Sequence, residues 1–176
     1  VHVFLNLKKK VMQKITRSFL SPLFCVIAGL LPVLFSCKDT RASDSASSSE
    51  EPYAEAIRAV FAEDDKAAAI RNHACEDTTL AETVRQYVAA IDAMDFSRCP
   101  ADFTSAFKSH RDAWANTVPF FHSFDTLRGE MHELFAVIEN MSPGQKVELV
   151  KISRPIGDTW VEVEKLAGKY GALAEE

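Results

Sequence analysis

Glycine is scarce in this chain, six in 176 residues, and no two of them build a Gly-rich loop. That removes the phosphate-cradling P-loop, the GxGxxG dinucleotide turn and the GxSxG nucleophile elbow. Each needs glycine where backbone turns sharply or approaches a ligand. No HExxH, no paired ExxH carboxylate set and no CxxCH haem-attachment sequence occurs either. Strand-type alternation is absent, which argues against a β architecture. Positive charge is not in excess: the net charge is −5, and all 25 acidic residues lie after position 37 while 5 of the 20 basic ones lie before it. The later part therefore carries about −10, a balance that repels phosphate backbones and anionic headgroups and excludes nucleic acid as a partner. Four cysteines are too few for a disulfide-stapled scaffold.

What is present begins at the N-terminal side. Lys8, Lys9, Lys10, Lys14 and Arg17 precede an apolar run from Phe19 to Phe35 that ends in Leu34-Phe35-Ser36-Cys37. Basic start, apolar middle and a small residue before the cut form the layout of an export signal. With cysteine directly after the small residue, the segment resembles a bacterial lipoprotein signal, whose motif is Leu, a tolerant position, a small residue and Cys. Phe35 is bulkier than the usual occupant of its position. The resemblance implies removal of residues 1–36 and lipidation of Cys37, with no cofactor beyond that covalent lipid. Buried acyl chains contribute about 0.8 kcal/mol per CH₂, and two or more suffice for stable anchoring. An uncleaved anchor and a non-lipid signal cut nearby are the alternatives; the run contains Pro22, Gly29 and Pro32 and is short for a bilayer span. Met12-Gln13-Lys14 could also begin a signal of ordinary length. Lys38 and Asp39 after the cysteine favour the outer over the inner membrane, by resemblance to lipoprotein sorting signals.

Residues 38–52, KDTRASDSASSSEEP, hold no aromatic or branched aliphatic residue and read as a flexible tether. Residues 53–176 then form one domain large enough for a real core. Apolar residues recur there at helical spacing. The first helix is expected over 53–74, with Ile57, Val60, Phe61 and Ile70 inward and Glu63-Asp64-Asp65 interrupting the stripe as a solvated face. Asp77-Thr78-Thr79 caps a second, striped by Leu80, Val84, Tyr87, Val88, Ile91 and Met94. Pro100 and Asp102 start a third carrying Phe103, Phe107, His110 and Trp114 on one face, ended by Pro119. Ser123 or Asp125 is expected to cap a fourth with Leu127, Met131, Leu134, Phe135 and Ile138 inward. A last one starts at Ser142-Pro143, runs through Val147 and Val150, and should kink or break at Pro155 and Gly157. It continues through Ile156, Trp160, Val163, Ala167 and Tyr170 to a stop at Gly171. The expected fold class is all-α, an antiparallel bundle of four main helices with one or two kinked or broken.

His110 is the best candidate for a haem or metal ligand, opposite Met94, Met131 or Met141, because it sits inside an aromatic stripe. The competing reading is a core histidine whose ring nitrogens bond protein groups. His73 and His122 lie at helix ends, where a cation suits the dipole, and His132-Glu133 lacks a second histidine at i+4. Glu162 and Glu164 read as solvated. For Cys75 and Cys99 an exported pair is by default oxidised. Against that, a helix of about 16 residues and about 24 Å separates them, while bridged Cα atoms lie within about 7 Å. Phe120, Phe121 and Phe124 lack helical periodicity and read either as a buried linker or as an exposed docking patch. The stretches CPADFTSAFKSHRDAW and DTWVEVEKLAGKYG are similar to small exported bacterial domains without an assigned activity. The sequence thus points to a lipid-anchored cell-envelope protein. Its domain is expected to be a non-catalytic binding or structural module whose partner is another envelope protein. The alternative is a haem- or metal-binding bundle using His110.

Overall fold

The computed structural model describes residues 51–173. The expected signal segment, Cys37 and the expected tether up to residue 50 lie outside the described residues; residues 51 and 52, read as the end of the tether, are helical instead. Helix α1 spans Glu51–Ala74, α2 Leu80–Asp92, α3 Ala101–Ala115, α4 Val118–Phe121, α5 Met131–Met141 and α6 Pro143–Lys169, with a 3₁₀ turn His122–Phe124 after α4. No strand occurs among the described residues. The described residues form an all-α bundle, as expected, built of five longer helices.

Local chemistry sets most of the helix ends. Thr79 caps α2, its Oγ1 accepting from the Glu82 N–H at 3.1 Å, and Ser142 caps α6 in the same way through Gln145. Such caps contribute about 1 kcal/mol each. Gly171, at φ 68°, ends α6. Its N–H reaches the Gly168 carbonyl at 3.0 Å, and the Ala172 N–H reaches back to Ala167 at 2.9 Å. This is the reciprocal pair of a Schellman stop, which needs a residue at ease in the left-handed region.

Neighbouring helices run antiparallel. Asp102 at the start of α3 holds Lys169 and Tyr170 at the end of α6, while His110 further along α3 meets Thr159 of α6. The pairs Asp92–Arg111 and Tyr87–Trp114 set α2 against α3 in the same sense. The core comprises Ile57 and Val60 of α1, Leu80, Val84 and Ile91 of α2, and Phe103 and Phe107 of α3. Phe121, Ile138, Leu149, Ile156 and Val163 complete it.

Three expectations are corrected. Ile70 is 68% exposed, and Arg71 takes the inward position, 5% exposed. The α1 stripe is Ile57, Val60, Asp64, Ala68 and Arg71, so Asp64 continues the buried face instead of interrupting it. The helix runs unbroken because its polar members find partners inside. The fourth long helix starts only at Met131, since Gly129 adopts φ 142°, a conformation no helix can pass through; Leu127 lies ahead of it, and its N-cap is Glu130, neither Ser123 nor Asp125. Of the kink or break expected at Pro155, the break does not occur: α6 runs through it as one helix. Proline deprives the Lys151 carbonyl of its donor, a cost of about 3 kcal/mol in a helix interior. Burial of Leu149, Ile156, Val163 and Ala167 along one continuous face offsets that cost. Val147 and Val150, by contrast, are exposed.

Candidate functional site

The interior holds a polar seam contributed by four helices. Asp64 and Arg71, two turns apart on α1, point to one face. Tyr87 of α2 donates its hydroxyl to Asp64 Oδ1 at 2.6 Å. The Arg71 guanidinium lies between two rings, 4.3 Å from the Tyr87 centroid and 4.3 Å from that of Trp114. Cation–π contacts of this kind contribute about 2 kcal/mol when desolvated. Burial pushes the Tyr87 phenol far above its ordinary value, because a phenolate would be stranded in low dielectric.

The seam continues through Trp114, four residues from His110 on α3. Its Nε1–H donates to His110 Nε2 at 3.1 Å. An indole nitrogen can only donate, so Nε2 accepts and the imidazole proton resides on Nδ1. That proton points to Thr159 Oγ1 at 3.1 Å, and the Thr159 hydroxyl donates to the Pro155 carbonyl at 2.7 Å. Donors and acceptors alternate without conflict from Trp114 to the backbone of α6. The His110 ring, 4% exposed, lies 4.9 Å from Trp160 and 6.3 Å from Phe107 between centroids. A metal or haem iron at either nitrogen would have to displace one of these bonds. Of the methionines considered opposite it, Met94 and Met131 are buried and Met141 is half exposed.

A second constellation lies on the surface where the end of α1 meets the start of α5. His73 Nδ1 lies 3.1 Å from Glu76 Oε1 and 3.8 Å from Glu130 Oε1. The ligand atoms of these three residues all fall within 4.8 Å of one another. The other Glu130 oxygen, Oε2, lies 3.1 Å from His132 Nδ1. A backbone bond from the Gly129 N–H to the Cys75 carbonyl, 3.2 Å, ties the two segments beside the cluster. Nothing local in the sequence pairs His73 with Glu130, whose approach depends on the packing of α1 against α5. The only cue was the concentration of His and Glu in two short stretches.

The remaining candidates are dispersed. Cys75 and Cys99 are free thiols at opposite ends of α2, so the bridge that export would favour is not formed. Burial pushes both thiols above their ordinary value. Of the two readings of the Phe120–Phe124 stretch, the structure favours the buried linker over the exposed patch: Phe121 and Phe124 are buried, and Phe121 stacks on Phe135 at 5.4 Å. Helical winding of residues 118–124 brings these rings to the core, and only Phe120 stays half exposed. His122 accepts from the Arg85 guanidinium at the surface. Glu162 pairs with Lys165. Two concavities among the described residues measure about 240 and 140 Å³, small beside the about 300–1,000 Å³ of small-molecule sites. No helix among the described residues is long and apolar enough to cross a membrane. Comparison with protein families, curated proteins and solved structures gives no match, so the chemistry rests on this geometry and on the sequence.

Proposed function

We propose that the protein is a lipid-anchored component of a bacterial cell envelope, held at the membrane by acyl chains on Cys37, and that its helical domain is a non-catalytic binding or structural module. The observation that carries the reading is Leu34-Phe35-Ser36-Cys37 closing an apolar segment behind five basic residues. Cleavage before Cys37 would leave residues 38–50 as a tether, ahead of the helix that starts at Glu51, that holds the acidic domain clear of the headgroups. The outer membrane is the favoured location, with another envelope protein as partner. The domain's own geometry is compatible with such a role: its buried polar side chains largely bond one another instead of lining a cleft, and its concavities are small.

The test is direct. In a lipoprotein-processing bacterial host, the wild-type chain incorporates labelled palmitate and loses residues 1–36. Cys37→Ser abolishes the label and leaves the precursor uncut. A mature N-terminus elsewhere, carrying no lipid, overturns the proposal. Crosslinking in intact membranes followed by mass spectrometry then identifies the envelope component that the domain contacts.

A further inference from the structure

We propose that His73, Glu76, Glu130 and His132 bind a single divalent transition-metal ion of the zinc class, which clips the end of α1 to the start of α5. The inference stands apart from the anchor at Cys37. Two imidazole nitrogens and two carboxylate oxygens are a borderline donor set. It suits zinc and its neighbours, whereas calcium and magnesium take oxygen shells.

Spacing agrees with that choice. Ligands at about 2.0–2.2 Å from a tetrahedral zinc stand about 3.3–3.6 Å from one another. The closest approaches here are 3.1 Å for His73–Glu76, 3.8 Å for His73–Glu130 and 3.1 Å for His132–Glu130. The three-residue subset already lies within 4.8 Å throughout. His73, Glu76 and Glu130 supply the converging part of the shell, His132 sits beside the other Glu130 oxygen and has to swing toward them to become the fourth ligand, and the Gly129–Cys75 backbone bond means the two segments need not move together first. Glu130 is central because its two oxygens face different imidazoles, Oε1 toward His73 and Oε2 toward His132. Two carboxylates beside two neutral rings carry −2, which a divalent ion cancels. In the metal-free protein His73 Nδ1–H donates to Glu76 Oε1; to bind through Nδ1 each imidazole gives up any proton there and carries one on Nε2, so both rings enter the shell neutral.

Ordinary ion pairing explains the cluster less well. All four side chains are substantially exposed, from 39% for Glu130 to 65% for His73, and exposed pairs contribute at most about 1 kcal/mol. Stability alone thus gives little reason for two histidines to converge on one carboxylate.

The experiment uses the untagged full chain in detergent, stripped with a chelator and titrated with Zn²⁺ against a chromophoric competitor and with Co²⁺ by visible absorption. One ion per chain is expected, with the strong ligand-field bands of low-coordinate Co²⁺ and a higher melting temperature in Zn²⁺. His73→Ala and Glu130→Gln should each weaken binding by at least about tenfold and abolish the melting shift. His122→Asn, whose histidine lies outside the cluster, should leave binding unchanged. Circular dichroism of the metal-free variants checks that each is folded. Absence of saturable one-to-one binding, a smaller loss in the two cluster variants, or an equal loss in His122→Asn overturns the proposal.

Discussion

Replacing His110 with Ala tests the interior chain of hydrogen bonds. The variant removes the acceptor of the Trp114 indole and the donor to Thr159. Trp114 is 4% exposed, so its N–H would be left buried without an acceptor, at a cost of about 1–3 kcal/mol. The lost bond to Thr159 adds about 1 kcal/mol, and the missing ring leaves a gap against Trp160 and Phe107. Together about 2–4 kcal/mol is expected, read as a lower midpoint in urea with an unchanged slope. Trp114→Phe supplies the decisive control, since it removes the donor while keeping a ring over Arg71. In the His110→Ala background Trp114→Phe removes the very N–H that the first substitution left without an acceptor. The double variant should therefore fall short of the summed single effects by about 1–2 kcal/mol. Additive losses would refute the reading, because they would mean that the two residues stabilise the bundle independently.

Tyr87→Phe removes the 2.6 Å bond to the Asp64 carboxylate and should cost about 1.5–3 kcal/mol, measured by the same urea melts. Because the folded-state phenol is pushed above its ordinary value, the unfolded chain releases that proton first. Stability should fall as pH rises above about 10, and the phenylalanine variant should show a shallower fall. At the acid end, the Lys169 ammonium and the Tyr170 hydroxyl beside Asp102 hold its carboxyl below the usual range. The folded state keeps the carboxylate longer, so this contribution is present above about pH 4 and lost as pH falls through the depressed value. Asp102→Asn should flatten that part of a thermal-stability profile. Gly171→Ala places a Cβ at φ 68° and should lower stability by about 1 kcal/mol without changing helix content by circular dichroism.

The structure differs from the sequence reading mainly where contacts are long in sequence. The α2 stripe, the Thr79 cap and the Gly171 stop were legible because each is specified within a few residues, by periodicity, by a hydroxyl near an N–H, or by a conformation glycine adopts without strain. Asp64 and Arg71 were not. Charge alone says solvent, and the pair enters the core because Tyr87 and Trp114, on two other helices, present a hydroxyl and two ring faces there. Pro155 reads locally as a break, yet α6 continues, because apolar burial on both sides of the proline outweighs one missing hydrogen bond. The Phe120–Phe124 stretch lacked a period because a single α turn followed by a 3₁₀ turn has none to show. For His110, inwardness was legible from spacing, but its partners were not: Thr159 belongs to another helix, and the tautomer follows from the indole proton of Trp114. The cluster of His73, Glu76, Glu130 and His132 lay furthest from view, since α1 and the start of α5 meet only in the folded bundle. Conversely, the proposal that the segment ending at Cys37 is an export signal rests on composition and order alone, which need no fold to be read. Tertiary packing decided which polar side chains share a site, because a helix sets directions along itself while only its neighbours set distances between helices.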